Sequence, residues 1–221
     1  MRDAIAGAAV AAGRDPAGVL LVAVTKGHPP EAARAALSAG LHDLGENRIE
    51  ELDKKIGALG RAGLRWHMIG TVQSRKARAA VELADLIHSV DSVRLAERLA
   101  KAAAAAGRED PLSILVQVNT SGEAAKQGLA LAEAEDAVLE IAEMTGLTVE
   151  GFMTMAPLTD DTKVVGATFA RLRELRDRVR ARTQRVGEQL SMGMTNDLAV
   201  AVREGSTMVR IGTALFGERA T

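Results

Sequence analysis

Two groups of residues, one near each end of the chain, could together hold an aldehyde and a phosphate. Lys26 closes the apolar run GVLLVAVTK, and Gly212 and Thr213 close a second strand-like run, GSTMVRIGT. A lysine that leaves a buried strand is desolvated, which favours the neutral amine that forms imines. Glycine lets the backbone approach an anion, and a threonine that opens a helix adds a hydroxyl at its positive end. The combination predicts a site for pyridoxal 5'-phosphate, which carries both groups.

Arg210 lies in the middle of the second run, between Val209 and Ile211. Side chains alternate along a strand, so Arg210 points away from the face that these two residues share. In a barrel that direction leads to the interior, where a buried guanidinium needs an acceptor. A pyridine nitrogen would serve, because arginine keeps its proton. Arg210 is therefore predicted to face the ring of the cofactor.

The elements that would position these residues follow an alternating pattern. Short apolar runs, typical of strands, are separated by longer helical stretches, and the pattern repeats eight times in 221 residues. Eight such units predict one α/β domain, a (β/α)8 TIM barrel that occupies residues 1–221. The doubly wound open sheet is the alternative, but the segment VTKGHPP after the first strand lacks its glycine fingerprint. The predicted strands cover residues 19–24, 41–44, 66–69, 86–89, 114–118, 147–153, 189–191 and 208–211.

Polar residues recur just after the predicted strands. In a barrel these positions share the carboxyl-end face, where active sites lie. The loops after strands 7 and 8 are the usual phosphate site of this fold. Ser191 is therefore expected to join Gly212 and Thr213 around the phosphate.

The four histidines give weaker signals. His67 and His88 lie inside predicted strands, which favours core or rim positions over the role of a catalytic base. His28 and His42 are interpreted as loop and surface residues. No pair of histidines and no carboxylate cluster has the spacing of metal ligands, so no metal site is predicted.

The composition excludes several classes of function. The formal net charge is −1 and 47% of the residues are apolar, so the totals do not indicate nucleic-acid binding. No segment reaches ~20 unbroken apolar residues, so no membrane span is expected. The absence of cysteine excludes disulfides, thiolate metal sites and cysteine nucleophiles, and it favours the cytoplasm. The start MRDAIAGAAVAAGRD is interpreted as a capped surface helix rather than a signal peptide, because charged residues interrupt it.

Eight motifs, taken in order, resemble the pyridoxal-phosphate homeostasis protein family. They run from residue 19 to residue 217, nearly the whole chain, and their order makes coincidence implausible. The family is similar to the barrel domain of alanine racemases standing alone, so the resemblance implies the same barrel here. The motifs are AVTK, GENR, WHMIGTVQSRK, IHSVDS, QVNTSGEAAKQG, GFMTMAP, LSMGMTND and GSTMVRIGTALFG.

The resemblance also implies roles for individual residues. Lys26 matches the lysine that forms a Schiff base with pyridoxal phosphate, and Arg210 matches the arginine that faces the pyridine nitrogen. Asn47, in the GEN motif, matches a polar residue at the rim of the cofactor. The family's phosphate-holding positions are matched by Ser191, Gly212 and Thr213.

Two positions depart from the family's motifs. Arg75 stands before Lys76 where the family usually has asparagine, so any contact made by that asparagine is not carried over. Thr195 replaces the serine that usually follows SMGM, and it keeps the hydroxyl.

Three functions fit a Schiff-base lysine in such a barrel: a pyridoxal-phosphate carrier, an amino-acid racemase, and an aldolase that uses no pyridoxal. A two-base racemase needs an acid–base group on each face of the cofactor. In alanine racemases a tyrosine from another domain supplies the second group, and this chain has no tyrosine and no length left for that domain. Arg210 at the ring nitrogen would also make the ring a poor electron sink, and an aldolase would have no use for it.

The sequence therefore predicts a protein that binds pyridoxal phosphate and serves its intracellular homeostasis, rather than an enzyme. Apo-enzymes that use this cofactor are the expected partners, without nucleic acid or membrane. The chain is expected to be a monomer or weak dimer in the cytoplasm.

Overall fold

Parallel strands form the centre of the computed structural model, which describes residues 1–123 and 126–218. They are β1 (Leu20–Val24), β2 (Asp43–Glu46), β3 (Arg65–Met68), β4 (Leu86–Val90), β5 (Leu112–Asn119), β6 (Leu129–Ala130), β7 (Leu147–Met153), β8 (Val186–Ser191) and β9 (Met208–Ile211). All of these strands except the short β6 form one ring, because β4 pairs with β5 and β1 pairs with β9. The closed ring confirms the predicted (β/α)8 barrel and excludes the open sheet, which would have unpaired edges.

Helices surround the barrel. They are α1 (Arg2–Ala11), α2 (Pro30–Ser38), α3 (Ile49–Leu59), α4 (Ala77–Leu83), α5 (Val93–Ala105), α6 (Leu131–Ala142), α7 (Thr162–Arg182), α8 (Leu198–Arg203) and α9 (Thr213–Phe216). Each of the longer helices packs an apolar side on the strands, and in α5 the buried side contains Leu95, Ala96, Leu99 and Ala103. Within the described residues, none of the helices combines the length and the apolar character needed to span a membrane.

The N-terminal segment forms α1, as the sequence predicts. Ile5 and Ala9 are buried where α1 packs with Leu198 and Val202 of α8. The capping of α1 is at its C-terminal end, where Gly13 has a φ of +67° and the N–H of Arg14 donates to the carbonyl of Ala9 at 2.9 Å. Met1 precedes the helix and makes no side-chain hydrogen bond to it.

Strand β2 lies two residues later than predicted. The prediction followed the apolar pattern and ended at Leu44, but pairing with β3 continues to Glu46, which lies opposite Met68. Glu46 is consequently a fully buried strand residue rather than the start of a loop. The pairing partner, which the local sequence does not reveal, determines the end of this strand.

The alternation along β9 sets the direction of Arg210. Val209 and Ile211 pack outside the barrel with α1 and α8. Arg210 extends to the opposite side, into the barrel, and is only 5% exposed. This agrees with the direction inferred from the sequence. Apolar residues from several strands fill another part of the interior, namely Leu20, Leu86, Leu115, Met153 and Met208.

Candidate functional site

A cavity of about 960 Å³ lies at the carboxyl ends of the strands. The loops after β1 and β2 meet the end of β9 there, so the barrel brings together residues from opposite ends of the chain. Most of the predicted site residues line this cavity, namely Lys26, Asn47, Arg210, Gly212 and Thr213. Ser191 is the predicted residue that does not line it.

Hydrogen bonds on both sides of Lys26 hold the backbone that carries it. Lys26 is half-buried and lies two residues after the end of β1. The carbonyl of Thr25 accepts a hydrogen bond from Lys55 Nζ at 2.6 Å, and the N–H of Gly27 donates to Glu51 Oε2 at 2.8 Å. Both partners belong to α3. The position of Lys26 is therefore fixed by a helix as well as by its own strand.

A buried ion pair extends this support. Lys55 Nζ lies 2.6 Å from Glu46 Oε1, and both side chains are at most 2% exposed. Thr25 Oγ1 donates a hydrogen bond to the same carboxylate oxygen. Burial raises the pKa of Glu46, while the hydrogen bonds and the charge of Lys55 oppose that shift. We call Thr25, Glu46 and Lys55 the strand-end anchor. It links the end of β1 to β2 and α3, next to Lys26 in the chain.

The role of Lys55 was missed in the sequence, where it resembles an ordinary surface lysine. A signal was nevertheless present. Lys55 lies three residues after Leu52 and four residues before Leu59, so it falls on the apolar side of α3. A lysine at such a position needs a buried partner.

The guanidinium of Arg210 is held by three oxygen atoms. Its Nη1 donates to the carbonyl of Ser191 at 2.7 Å and to Ser191 Oγ at 2.6 Å, and its Nη2 donates to the carbonyl of Thr154 at 3.0 Å. Burial lowers the pKa of Arg210 to about 10, although the negative charge of Asp197 acts in the opposite direction. Because this pKa stays well above neutral, Arg210 brings a fixed positive charge to the cavity.

Ser191 has a different position from the one expected of a phosphate ligand. Its side chain is fully buried, and its hydroxyl lies within hydrogen-bond distance of Arg210 and of His88. The residue with a hydroxyl that lines the cavity from the same loop is Thr195, four residues later. In this structure Ser191 lies behind Arg210 and accepts two hydrogen bonds from its guanidinium, while Thr195 lines the cavity. The role of Ser191 as a phosphate ligand stays a prediction.

The loop after β8 has a shape that requires glycine at position 193. Gly193 has a φ of +99°, and a Cβ there would lie 2.5 Å from the Cβ of Ala201. The carbonyl of Gly193 accepts the backbone N–H of Arg210 at 2.9 Å. The N–H of Met194 donates to Asp197 at 2.5 Å, and burial raises the pKa of that carboxyl. These contacts define the turn that carries Thr195.

Gly212 and Thr213 form the neighbouring part of the wall, where α9 begins. A Cβ at Gly212 would lie 3.1 Å from the carbonyl oxygen of Val24, so glycine allows β9 and β1 to stay close. Thr213 lines the cavity as Thr195 does, so two threonine side chains belong to the wall. Two hydroxyls and the backbone N–H groups of a helical turn are donors that suit a phosphate.

Asn47 lies at the rim of the cavity, where it is exposed. A Cβ at Gly70 would lie 2.2 Å from the backbone oxygen of Asn47, so glycine allows the loops after β2 and β3 to meet. Arg75, one of the two departures from the family's motifs, lies outside the cavity wall. Its Nε donates to Gln73 Oε1 at 2.9 Å within its own turn.

The histidines divide into two groups. His67 and His88 are fully buried within the barrel, and neither lines the cavity. His28 does line it, with its ring 5.6 Å from the ring of Phe216, so its interpretation as a simple loop residue was incomplete. His42 is exposed, as expected. Within the described residues no group of three or more histidine or carboxylate side chains could hold a metal ion.

Comparison with known proteins places this geometry in a family. The model of the family described as "Alanine racemase, N-terminal domain" matches residues 10–220. The "Pyridoxal phosphate homeostasis protein" of Pseudomonas aeruginosa is 43% identical over 213 residues, which cover 96% of this chain and 90% of the relative. The protein of the same name from Escherichia coli strain K12 is 38% identical over 229 residues, covering 99% and 94% of the two chains.

A solved structure is also similar to this chain. PipY of Synechococcus elongatus, whose structure has pyridoxal phosphate bound, superposes on this chain with a TM-score of 0.85 and 36% sequence identity. The match covers 96% of this chain and all of PipY. The similarity therefore extends over the whole barrel.

Replacing Lys55 with methionine tests the strand-end anchor. The change leaves the Glu46 carboxylate buried without its partner, which typically costs about 3–5 kcal/mol of unfolding free energy. The pKa of Glu46 in the folded variant should lie further above its unfolded value. Folding then takes up a proton, so stability should fall as pH rises. Urea unfolding at pH 5 and pH 8 should show the larger deficit at pH 8.

Lys54 provides the matched control, because it is the neighbouring lysine of α3 and is exposed. Lys54→Met should change the unfolding free energy by less than about 0.5 kcal/mol at either pH. Equal losses in the two variants, or a Lys55→Met deficit that does not depend on pH, would contradict the anchor.

Proposed function

We propose a function from the premise that this chain belongs to the pyridoxal phosphate homeostasis protein family, built on the barrel of the alanine racemase N-terminal domain. It is a pyridoxal 5'-phosphate-binding protein that takes part in the homeostasis of this cofactor. The observation that carries the proposal is one cavity lined by Lys26, Arg210, Thr195 and Thr213.

The side chains of the cavity fit the cofactor group by group. When bound, pyridoxal phosphate supplies an aldehyde that condenses with amines and a ring that withdraws electrons. Lys26 is the proposed attachment point for the aldehyde, since its backbone is held rigidly beside the cavity. Thr195, Gly212 and Thr213 are proposed to bind the phosphate through hydroxyl and backbone donors. Arg210 is proposed to donate a hydrogen bond to the ring nitrogen.

The charge of Arg210 decides what the bound cofactor is suited for. A guanidinium whose pKa is about 10 stays protonated near neutral pH and acts as a donor. A ring nitrogen that accepts this bond carries no proton of its own, so the ring withdraws electrons weakly. This arrangement favours storage of the cofactor over carbanion chemistry. Asn47, at the rim, is proposed to contact the cofactor from the open side.

The racemase alternative needs an acid–base group on the face opposite Lys26. The sequence has no tyrosine, and the buried His67 and His88 do not reach the cavity wall. His28 is the one histidine that lines the cavity among the described residues. The aldolase alternative leaves the buried charge of Arg210 without a use. Neither alternative is supported by an observation as direct as the match between cavity and cofactor.

The mouth of the cavity suits exchange of the cofactor. Leu158 lies on the wall and is 99% exposed, and Met155 and Met194 are also exposed there. A wall of exposed side chains leaves the cavity accessible from solution. We propose that apo-enzymes receive the cofactor through this opening. A cytoplasmic location and a monomeric or weakly dimeric state stay predictions.

Reduction with borohydride tests the attachment point. Protein incubated with pyridoxal phosphate, reduced and digested should carry the pyridoxyl group on the peptide that contains Lys26. Lys26→Ala should abolish the label, while Lys54→Ala, at an exposed position on α3, should leave it unchanged. Peptide mass mapping reads the result. A label mainly on any other lysine would reject Lys26 as the attachment point.

Substitution of the two threonines tests the phosphate site. Loss of a hydrogen bond to a charged group costs roughly 1.5–3 kcal/mol, so Thr195→Ala and Thr213→Ala should each weaken pyridoxal phosphate about tenfold or more. Unphosphorylated pyridoxal should bind to the variants almost as it does to the original protein. Equilibrium titration with both compounds makes the comparison. Equal weakening of the two would place the phosphate elsewhere.

Two assays on one preparation separate the carrier from the racemase. The protein should pass pyridoxal phosphate to an apo-enzyme but form negligible D-alanine from L-alanine, since a missing acid–base group typically costs 10²–10⁴-fold in rate. Proton exchange in deuterated water without inversion is compatible with Lys26 acting on one face. Racemisation in the usual enzyme range of ~1–10³ per second would overturn the carrier proposal. His28 would then be the first candidate for the second group.

A further inference from the structure

A chain of hydrogen bonds crosses the interior of the barrel and ends at Arg210. Asp43 Oδ1 lies 2.9 Å from His67 Nε2, and His67 Nδ1 lies 2.8 Å from His88 Nε2. His88 Nδ1 lies 2.9 Å from Ser191 Oγ, which lies 2.6 Å from Arg210 Nη1. We call these five residues the interior chain. They come from β2, β3, β4, β8 and β9, so the chain connects five of the strands of the barrel.

The interior chain joins the two ends of the barrel. Asp43 is the first residue of β2, at the amino end of the strands, and its side chain is 18% exposed. Arg210 lies at the wall of the cavity, at the other end. The three residues between them are fully buried. Apolar side chains fill the neighbouring part of the interior. They would also cost less free energy at the positions of the interior chain, because buried polar groups must all be paired.

The chemistry of the groups gives the interior chain one direction. Arg210 can only donate and the Asp43 carboxylate can only accept. Burial lowers the pKa of His67 and lowers that of His88 well below its usual value, so each ring is neutral near pH 7, with one donor and one acceptor. Hence Arg210 donates to Ser191, Ser191 donates to His88, His88 donates to His67, and His67 donates to Asp43. Both rings must then carry their proton on Nε2.

We propose that His67 and His88 are positioning residues for Arg210, acting through the hydroxyl of Ser191. A serine hydroxyl can rotate, and it accepts from Arg210 only if its own proton points elsewhere. His88 Nδ1 takes that proton, and His67 fixes the tautomer that makes Nδ1 an acceptor. The guanidinium is thereby held where the ring nitrogen of the cofactor is proposed to lie. This inference rests on the proposed function.

Ser191→Ala and His88→Leu test the positioning role through two ligands. Arg210 is proposed to meet the ring and not the phosphate, so pyridoxal phosphate and pyridoxal should weaken by the same factor, roughly three- to tenfold. The absorption band of the bound cofactor should shift in both variants, because the ring nitrogen loses its fixed donor. The double variant should bind the ligands only slightly more weakly than either single variant, since both substitutions interrupt the same chain of hydrogen bonds.

Ser206 provides the matched control for Ser191. It is also fully buried, and its hydroxyl contacts only the backbone carbonyls of Leu190, Met192 and Met208 among the described residues. Ser206→Ala should lose stability as Ser191→Ala does, but it should keep the affinity for both ligands and the absorption spectrum of the bound cofactor. His88→Asn, whose amide oxygen replaces Nδ1 as the acceptor, should recover part of the affinity lost in His88→Leu. Thermal unfolding of each variant verifies that it is folded.

The outcomes separate the possible roles of Ser191. Weakening of pyridoxal phosphate with no change for pyridoxal would make Ser191 a phosphate ligand and overturn the positioning role. Unchanged affinity and spectrum in folded Ser191→Ala and His88→Leu would overturn it as well.

A measurement without cofactor tests the interior chain independently of the proposed function. Nitrogen-15 spectra of the histidine rings in the cofactor-free protein should show His67 and His88 neutral and protonated on Nε2 at pH 7. A proton on Nδ1 of either ring, or a charged ring, would overturn the inference even if pyridoxal phosphate binds. Failure of the original protein to bind pyridoxal phosphate would instead reject the proposed function, while these spectra still decide the direction of the chain.

Discussion

Arg210 carries a permanent positive charge into the interior of the barrel, and much of the structure around it serves to satisfy that charge. A buried guanidinium without partners would cost several kcal/mol. The carbonyls of Ser191, at the end of β8, and Thr154, just after β7, accept hydrogen bonds from the guanidinium, and the loop after β8 provides the nearby carboxylate of Asp197. The register of these neighbouring strands is therefore tied to one side chain that also forms the cavity wall.

The neighbouring part of the wall, at the end of β1, depends on a buried ion pair. The strand-end anchor fixes the end of β1 against α3, and the contact between Gly27 and Glu51 holds the residue on the other side of Lys26. Strands and a helix thus support the backbone on which Lys26 and Arg210 lie, and the loops after the strands complete the wall. Lys26 follows β1 and Arg210 lies on β9, so the pairing of these two neighbouring strands sets the separation of the two residues.

The sequence predicted the barrel and most of the cavity, for a physical reason that also explains the errors. Alternation along β9 reveals the inward direction of Arg210, and the end of an apolar run reveals Lys26, since both depend on local periodicity. The sequence did not show that Thr195 rather than Ser191 lines the cavity, because the turn formed by Gly193 and Asp197 decides which residue of the loop reaches the wall. That turn depends on a positive φ and on contacts with β9 and α8, which no periodic pattern records. The later position of β2 and the two-residue β6 likewise depend on pairing partners.

The buried pair of Lys55 and Glu46 has a chemical consequence for a protein that handles a reactive aldehyde. Two lysines lie close to the end of β1, and only Lys26 reaches the cavity wall. Lys55 is 2% exposed and donates its protons to a carboxylate, a carbonyl and a hydroxyl, so its nitrogen has no lone pair to offer. The fold therefore gives two lysines near the same strand end different environments: Lys26 lies at the wall of the cavity, and Lys55 is a buried structural cation.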